Sequence, residues 1–132
     1  MPSDARAEEE LLQVYKEAVE RQLISDVPVG LLLSGGMDSA LLLALMKNAG
    51  PLWQTYTIGF GESFSDDELV DAEETARILD SPNVAVRIDR PTFEADLSNI
   101  VSILEEPVFA GSVVPMFHVC KRARQDVKVA LM

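Results

Sequence analysis

Ser34, Asp38 and Ser39 are set around the pair Gly35-Gly36, and this spacing suits one kind of chemistry. Adjacent glycines carry no Cβ to hold off a ligand, so their backbone can turn sharply and come close to an anion. The two hydroxyls add hydrogen-bond donors. A carboxylate beside them suits a magnesium ion held together with phosphate oxygens. The set forms a phosphate cradle, which makes a nucleotide the first ligand to consider.

The flanks supply the elements that would position it. Val29 to Leu33 is a short continuous apolar run, as expected of a central parallel strand covered on both faces. Leu41 to Met46 is apolar all round, so its helix is expected to be largely buried, with the Leu41 to Leu45 run as core. A strand–loop–helix order aims the helix's unpaired N–H groups and positive dipole end at the loop. The plainer alternative is a structural turn in which Ser39 or Asp38 caps the helix.

Elsewhere the pattern alternates. Glu8 to Ile24 carries Leu12, Tyr15, Val19 and Leu23 at helical spacing, and Ser25-Asp26-Val27-Pro28 ends that helix. Asn48 to Pro51 stops the second helix. Trp53 to Phe60 is rich in aromatic and β-branched residues and predicts a strand. Asp66 to Leu79 predicts a helix, Val84 to Ile88 a strand, and Phe93, Leu97, Ile100, Val101 and Leu104 another helix. Pro115 suits the first turn of a last helix with Met116, Val119, Cys120 and Ala123 inward, before a strand over Val127 to Leu131. This order predicts an α/β domain: a three-layer, mostly parallel sheet with helices on both faces and a site at the strand ends.

Composition sets bounds on function. The formal charge of −11 argues against nucleic acid as a partner, because such binding needs Lys and Arg against phosphates. No apolar run approaches the length of a membrane span, and the acidic N-terminus has no apolar core of a signal peptide. With the single Cys120, these features lead to an expectation of a cytoplasmic protein. Acids crowd Glu8 to Glu20 and Glu62 to Glu74. The run from Asp66 to Glu74 is expected to be mostly a solvated helix face. Lys121, Arg122 and Arg124 are expected on a solvent face. His118 and Cys120 stand two apart on one helix and do not form a metal pair; His118 has no assignment from sequence. Glu105 and Glu106 either approach a metal or close a helix in solvent.

The loop is neither a Walker A motif nor a dinucleotide fingerprint, for the chain has no Gly-Lys-Ser/Thr and no Gly-x-Gly-x-x-Gly. Ser34-Gly-Gly-Met-Asp-Ser39 resembles the PP-loop of the ATP pyrophosphatases, whose fold is adenine nucleotide alpha hydrolase-like. Its lead-in Arg21 to Gly30, together with Tyr56-Thr-Ile-Gly-Phe60, Asp66-Asp67-Glu68, Glu105-Glu106-Pro107 and Val127-Lys-Val-Ala-Leu131, resembles the synthetase domain of the glutamine-dependent asparagine synthetases, in the family's order. The resemblance runs from about Gln13 to the end.

That resemblance implies an ATP-binding domain of an amide-forming ligase, using ATP and Mg2+ to adenylate a small carboxylate, aspartate by analogy, before amidation. It implies that Ser34, Gly35, Gly36, Asp38 and Ser39 hold the pyrophosphate, that Asp38 ligates magnesium, and that Leu33, Ile58 and Gly59 lie at the adenine and ribose. It assigns no catalytic residue within this chain. The family's second loop, Ser-Gly-x-Gly-x-Asp-Glu, and its N-terminal glutaminase domain have no counterpart in residues 1–132, and Asp80 to Val86 lacks the histidines often found there. The expectation is a partial domain with an N-terminal helix at residues 8–24 and a PP-loop at 34–39. Its partners are expected to be the missing C-terminal and glutaminase portions or a second copy. The alternative is a truncated, non-catalytic nucleotide-binding or assembly module.

Overall fold

The computed structural model describes residues 4–50, 52–60, 67–106 and 110–132. Pro51, Glu62, Asp66 and Pro107, singled out above, lie outside them. Five helices and four strands follow in the order α1 (Asp4–Gln22), β1 (Val29–Leu32), α2 (Met37–Ala49), β2 (Gln54–Phe60), α3 (Asp67–Ile78), β3 (Asn83–Ile88), α4 (Arg90–Leu104), α5 (Val113–Ala123) and β4 (Val129–Leu131). The strands form one parallel sheet in the order β3-β2-β1-β4. The order turns back at β1, so β1 and β4 flank a switch point, where a crevice opens beyond the strand ends.

Alternating side chains of β1 and β2 build two separate cores. On one face Leu31 and Leu33 pack with Val19, Leu43, Leu45, Met46, Ala72 and Ala76, which come from α1, α2 and α3. On the other, Tyr56 packs with Val119, Ala123 and Val127 beneath α5. Ile88, Ile100 and Val114 join β3, α4 and α5 in a third cluster. Helices therefore cover both faces, as the alternation predicts.

Burial departs from the sequence pattern in three places. Leu43, Leu45 and Met46 are buried, but Leu41 is 42% exposed and Met37 84% exposed, so the leucine run is not core throughout. The flank of α2 that carries Met37 and Leu41 borders an open groove with Thr75 and Ile78 of α3. On α1 only Val19 is buried, while Leu12 and Tyr15 of the same stripe stay about half-exposed. Cys120 and Met116, both expected inward, are exposed. The sheet-facing line of α5 is Pro115, Val119 and Ala123, and Cys120 lies one residue round the helix from it.

Two polar features complete the frame. Asp89 caps α4, its carboxylate accepting from the Thr92 N–H at 2.9 Å. At the far end of α4, Glu105 takes the left-handed conformation (φ 55°) as C-cap, with its N–H donated to the Val101 carbonyl. Glu105 and Glu106 are both exposed at this helix end, as in the solvent reading.

Candidate nucleotide site

The crevice beyond β1 and β2 holds a cavity of about 310 Å³ lined by Leu33, Ser34, Asp38, Ser39 and Ile58 among others. Five of the eight residues singled out in the sequence therefore share one pocket, of a size found for small-molecule sites (~300–1,000 Å³). The other three are Gly35, Gly36 and Gly59, and the structure gives each a local role.

The loop closes on itself through its serines. Ser39 Oγ accepts from the Ser34 N–H at 3.1 Å and lies 2.8 Å from Ser34 Oγ. It also stands 3.1 Å from the carbonyls of Ser34 and Gly36, to which its single proton can be donated. Ser34 Oγ accepts from the Gly36 N–H at 3.2 Å. Gly36 is the N-cap residue of α2, extended at φ −83°, and no side chain caps this helix end. The capping alternative therefore fails for both Ser39 and Asp38, and the first-turn N–H groups remain directed at the crevice.

No described glycine has a positive φ, so close approach rather than a left-handed turn explains Gly35. A Cβ there would stand 2.9 Å from the Glu68 backbone and 3.1 Å from Asp71 Cβ. The loop is thus seated against the first turn of α3. Gly59 serves a similar contact, for a Cβ on it would meet Leu69 Cδ2 at 2.9 Å.

That seating brings Glu68 into the pocket lining, which also includes Asp38. The acidic run from Asp66 to Glu74 reads as a solvated face, yet Glu68 turns toward the site because α3 begins at the loop. Tyr56, Thr57, Met116, Val119 and Met132 also line the cavity and were not singled out as site residues. Met116 and Val119 follow the inward stripe of α5, which reads as core; a helix lying over a strand-end crevice is the signal that would distinguish them.

Among the described residues, the pocket lining contains two acids, Asp38 and Glu68, and no Lys or Arg. Paired carboxylates in a crevice fit a hard divalent cation with oxygen ligands, and a polyphosphate entering there needs one to offset the like charge. Two basic residues near the C-terminus, Lys121 and Arg122, are engaged elsewhere. Arg122 donates to Asp126 Oδ2 at 2.6 Å and lies 5.9 Å from the Tyr56 ring centroid, half-buried rather than on a free solvent face. Lys121 stands over the Phe117 ring at 5.8 Å. Tyr56 Oη donates to Asp126 Oδ2 at 3.0 Å on the pocket floor. Burial, with Asp126 second, pushes the Tyr56 hydroxyl up to about 12, so it stays neutral.

His118, unassigned from sequence, is mostly buried, with Nε2 3.0 Å from Asp96 Oδ2 on α4. The carboxylate lies off the N–H axis, and Nε2 has no hydrogen bond. Among the described residues no cluster of three or more His, Cys, Asp or Glu forms a metal cage, and no helix is long and apolar enough to cross a membrane.

Known proteins agree with this architecture. The chain is 35% identical over 130 residues to the putative glutamine-hydrolysing asparagine synthetase of Mycobacterium tuberculosis strain H37Rv, covering 98% of this chain and 20% of that protein. It is 32% identical over 123 residues to glutamine-hydrolysing asparagine synthetase 1 of Bacillus subtilis, covering 92% of this chain and 19% of that one. It thus spans about a fifth of these relatives' length. Among solved structures, the NMN synthetase of Francisella tularensis superposes with a TM-score of 0.61 at 21% identity over 90% of this chain and 52% of that chain. The NH3-dependent NAD synthetase of Campylobacter jejuni gives 0.60 at 17% identity over 92% and 54%. These likenesses show the fold, that of the PP-loop adenine nucleotide alpha hydrolases. Residues 10–132 match the family profile described as asparagine synthase, and the chain belongs to that family.

Proposed function

We propose that this chain forms the ATP-binding part of an amide-forming ligase that activates a carboxylate by adenylation. The observation that carries the proposal is the shared pocket. Ser34, Asp38, Ser39, Leu33 and Ile58 converge at the sheet's switch point, beside a helix end that no side chain caps.

In this reading the first-turn N–H groups of α2 and the Ser34 and Ser39 hydroxyls bind the β- and γ-phosphates. Asp38 and Glu68, which both line the pocket, hold magnesium, which when bound shields the polyphosphate charge and eases departure of pyrophosphate. Leu33, Ile58, Met116 and Val119 form apolar walls for the base and ribose. A substrate carboxylate oxygen attacks the α-phosphorus, the bond to the β-phosphate oxygen breaks, and pyrophosphate leaves with the electron pair. Ammonia then displaces AMP from the acyl-adenylate and gives the amide. Negative charge grows on the leaving pyrophosphate, where preorganised N–H donors stabilise it most. The relatives' names point to aspartate as the carboxylate.

ATP–pyrophosphate exchange tests the reading. Exchange that depends on added aspartate supports it. The second reading, a nucleotide-binding module without turnover, is favoured by one observation: among the described residues, the pocket lining offers no basic side chain to steer a carboxylate toward the α-phosphate. ATP binding without exchange under any carboxylate would establish that second reading.

A further inference from the structure

Helix α5 supplies Met116 and Val119 to the nucleotide pocket, so what fixes α5 fixes that wall. Among the described residues, polar side-chain contacts tie this helix region to other elements near its C-terminal end and in its middle, and Arg122 also lies 5.9 Å from the Tyr56 ring centroid. At its C-terminal end Asp126 accepts from Tyr56 at 3.0 Å. In its middle His118 Nε2 lies 3.0 Å from Asp96 Oδ2 of α4. Its N-terminal end has no such tie, for Ser112 makes no capping hydrogen bond. At about 100° per residue, His118 leaves the helix some 200° round from Met116, on the opposite flank.

We infer that His118 and Asp96 are positioning residues for the nucleotide site: their contact between α4 and α5 seats the Met116–Val119 wall. The inference rests on reading the pocket as a nucleotide site. His118 belongs to the third apolar cluster's neighbourhood, with Phe117 at its edge (ring centroids 5.6 Å apart), and only 14% of its side chain is exposed. Its Nε2 is buried with no hydrogen bond, and the Asp96 carboxylate stands 3.0 Å from it. A protonated ring beside Asp96 forms an ion pair that a neutral ring does not. From β2 the titratable group packed on α5 is Tyr56, which stays neutral, and Asp126 beside it is held low by Arg122. On α4 Glu94 is turned to Arg90, and on α5 Lys121 and Arg122 lie over the rings of Phe117 and Tyr56.

The test uses the full chain with [13C-methyl]methionine, read by NMR and by calorimetry of Mg-ATP binding from pH 5.5 to 8.0. Met116→Leu assigns the Met116 methyl signal. The expected result is a Met116 signal that moves with pH in the unaltered chain and is pH-independent in both Asp96→Asn and His118→Gln. At low pH these variants should bind Mg-ATP about fivefold more weakly than the unaltered chain, converging with it as pH rises. Taking the ratio of affinities removes ATP's own titration. Asp96→Glu should restore part of the difference, which general loss of packing would not allow. A Met116 profile identical in Asp96→Asn and the unaltered chain overturns the inference. Absence of Mg-ATP binding in every protein overturns the nucleotide reading instead, while the Met116 signal still decides whether the contact positions α5.

Discussion

The hydroxyl oxygens of Ser34 and Ser39 stand 2.8 Å apart, and Ser39 also accepts the Ser34 N–H. One side chain from the first turn of α2 thereby fixes the strand end that precedes the loop. Ser39→Ala removes that acceptor and the proton shared with two loop carbonyls. The expected loss is about 1–2 kcal/mol in denaturant unfolding, with weaker Mg-ATP binding as well.

The two loop glycines are expected to behave differently. Gly35→Ala drives a methyl into the Glu68 backbone at 2.9 Å, so α3 must move. About 1–3 kcal/mol of stability should be lost, with Glu68 displaced from the pocket. At Gly36 the nearest atom to an added Cβ is Ser34 Oγ at 3.3 Å and φ is −83°, so Gly36→Ala should melt close to the unaltered chain. Equal melting temperatures for the two variants would contradict this seating of the loop.

Asp89 and Asp126 contribute to the acid limb of stability, beside Glu74, which the Arg77 hydrogen bond holds low. Hydrogen bonding from Thr92 holds Asp89 below its ordinary value of 3.8, and the Arg122 hydrogen bond, with that of Tyr56, does the same for Asp126. A carboxylate with a depressed folded value contributes stability that is fully present above pH 3.8 and is lost as pH falls through the folded value. Urea midpoints should therefore fall below about pH 4, with a smaller fall in Asp89→Asn.

Tyr56 defines the alkaline limb. Its hydroxyl titrates at about 12 in the fold against 10.0 when free, so the protonated form is favoured by folding. That contribution is complete below pH 10.0 and disappears as pH rises toward 12. Tyr56→Phe should remove this dependence and cost about 1 kcal/mol at neutral pH through the lost bond to Asp126.

Strand and helix order was legible because each element carries its own periodicity, and Val29 to Leu33 could only be a strand buried on both faces. The cradle was legible because its residues are contiguous from Ser34 to Ser39. Residues brought in by tertiary contact were not. Glu68 reaches the pocket only because Gly35 admits the backbone of α3, and Met116 because α5 lies over the strand ends. Helical spacing predicted an inward face for α1 and α2, but one sheet face cannot cover Tyr15 and Leu41 as well as Val19 and Leu43. The environment of His118 depends on α4 crossing α5, which no local pattern encodes.

Calorimetric titration of Mg-ATP into the unaltered chain and Asp38→Ala tests the central claim most directly. The account predicts saturable binding that needs magnesium and weakens at least about tenfold in Asp38→Ala, the loss expected when a metal-holding carboxylate is removed. Equal affinity in the two proteins, or binding indifferent to magnesium, would contradict it.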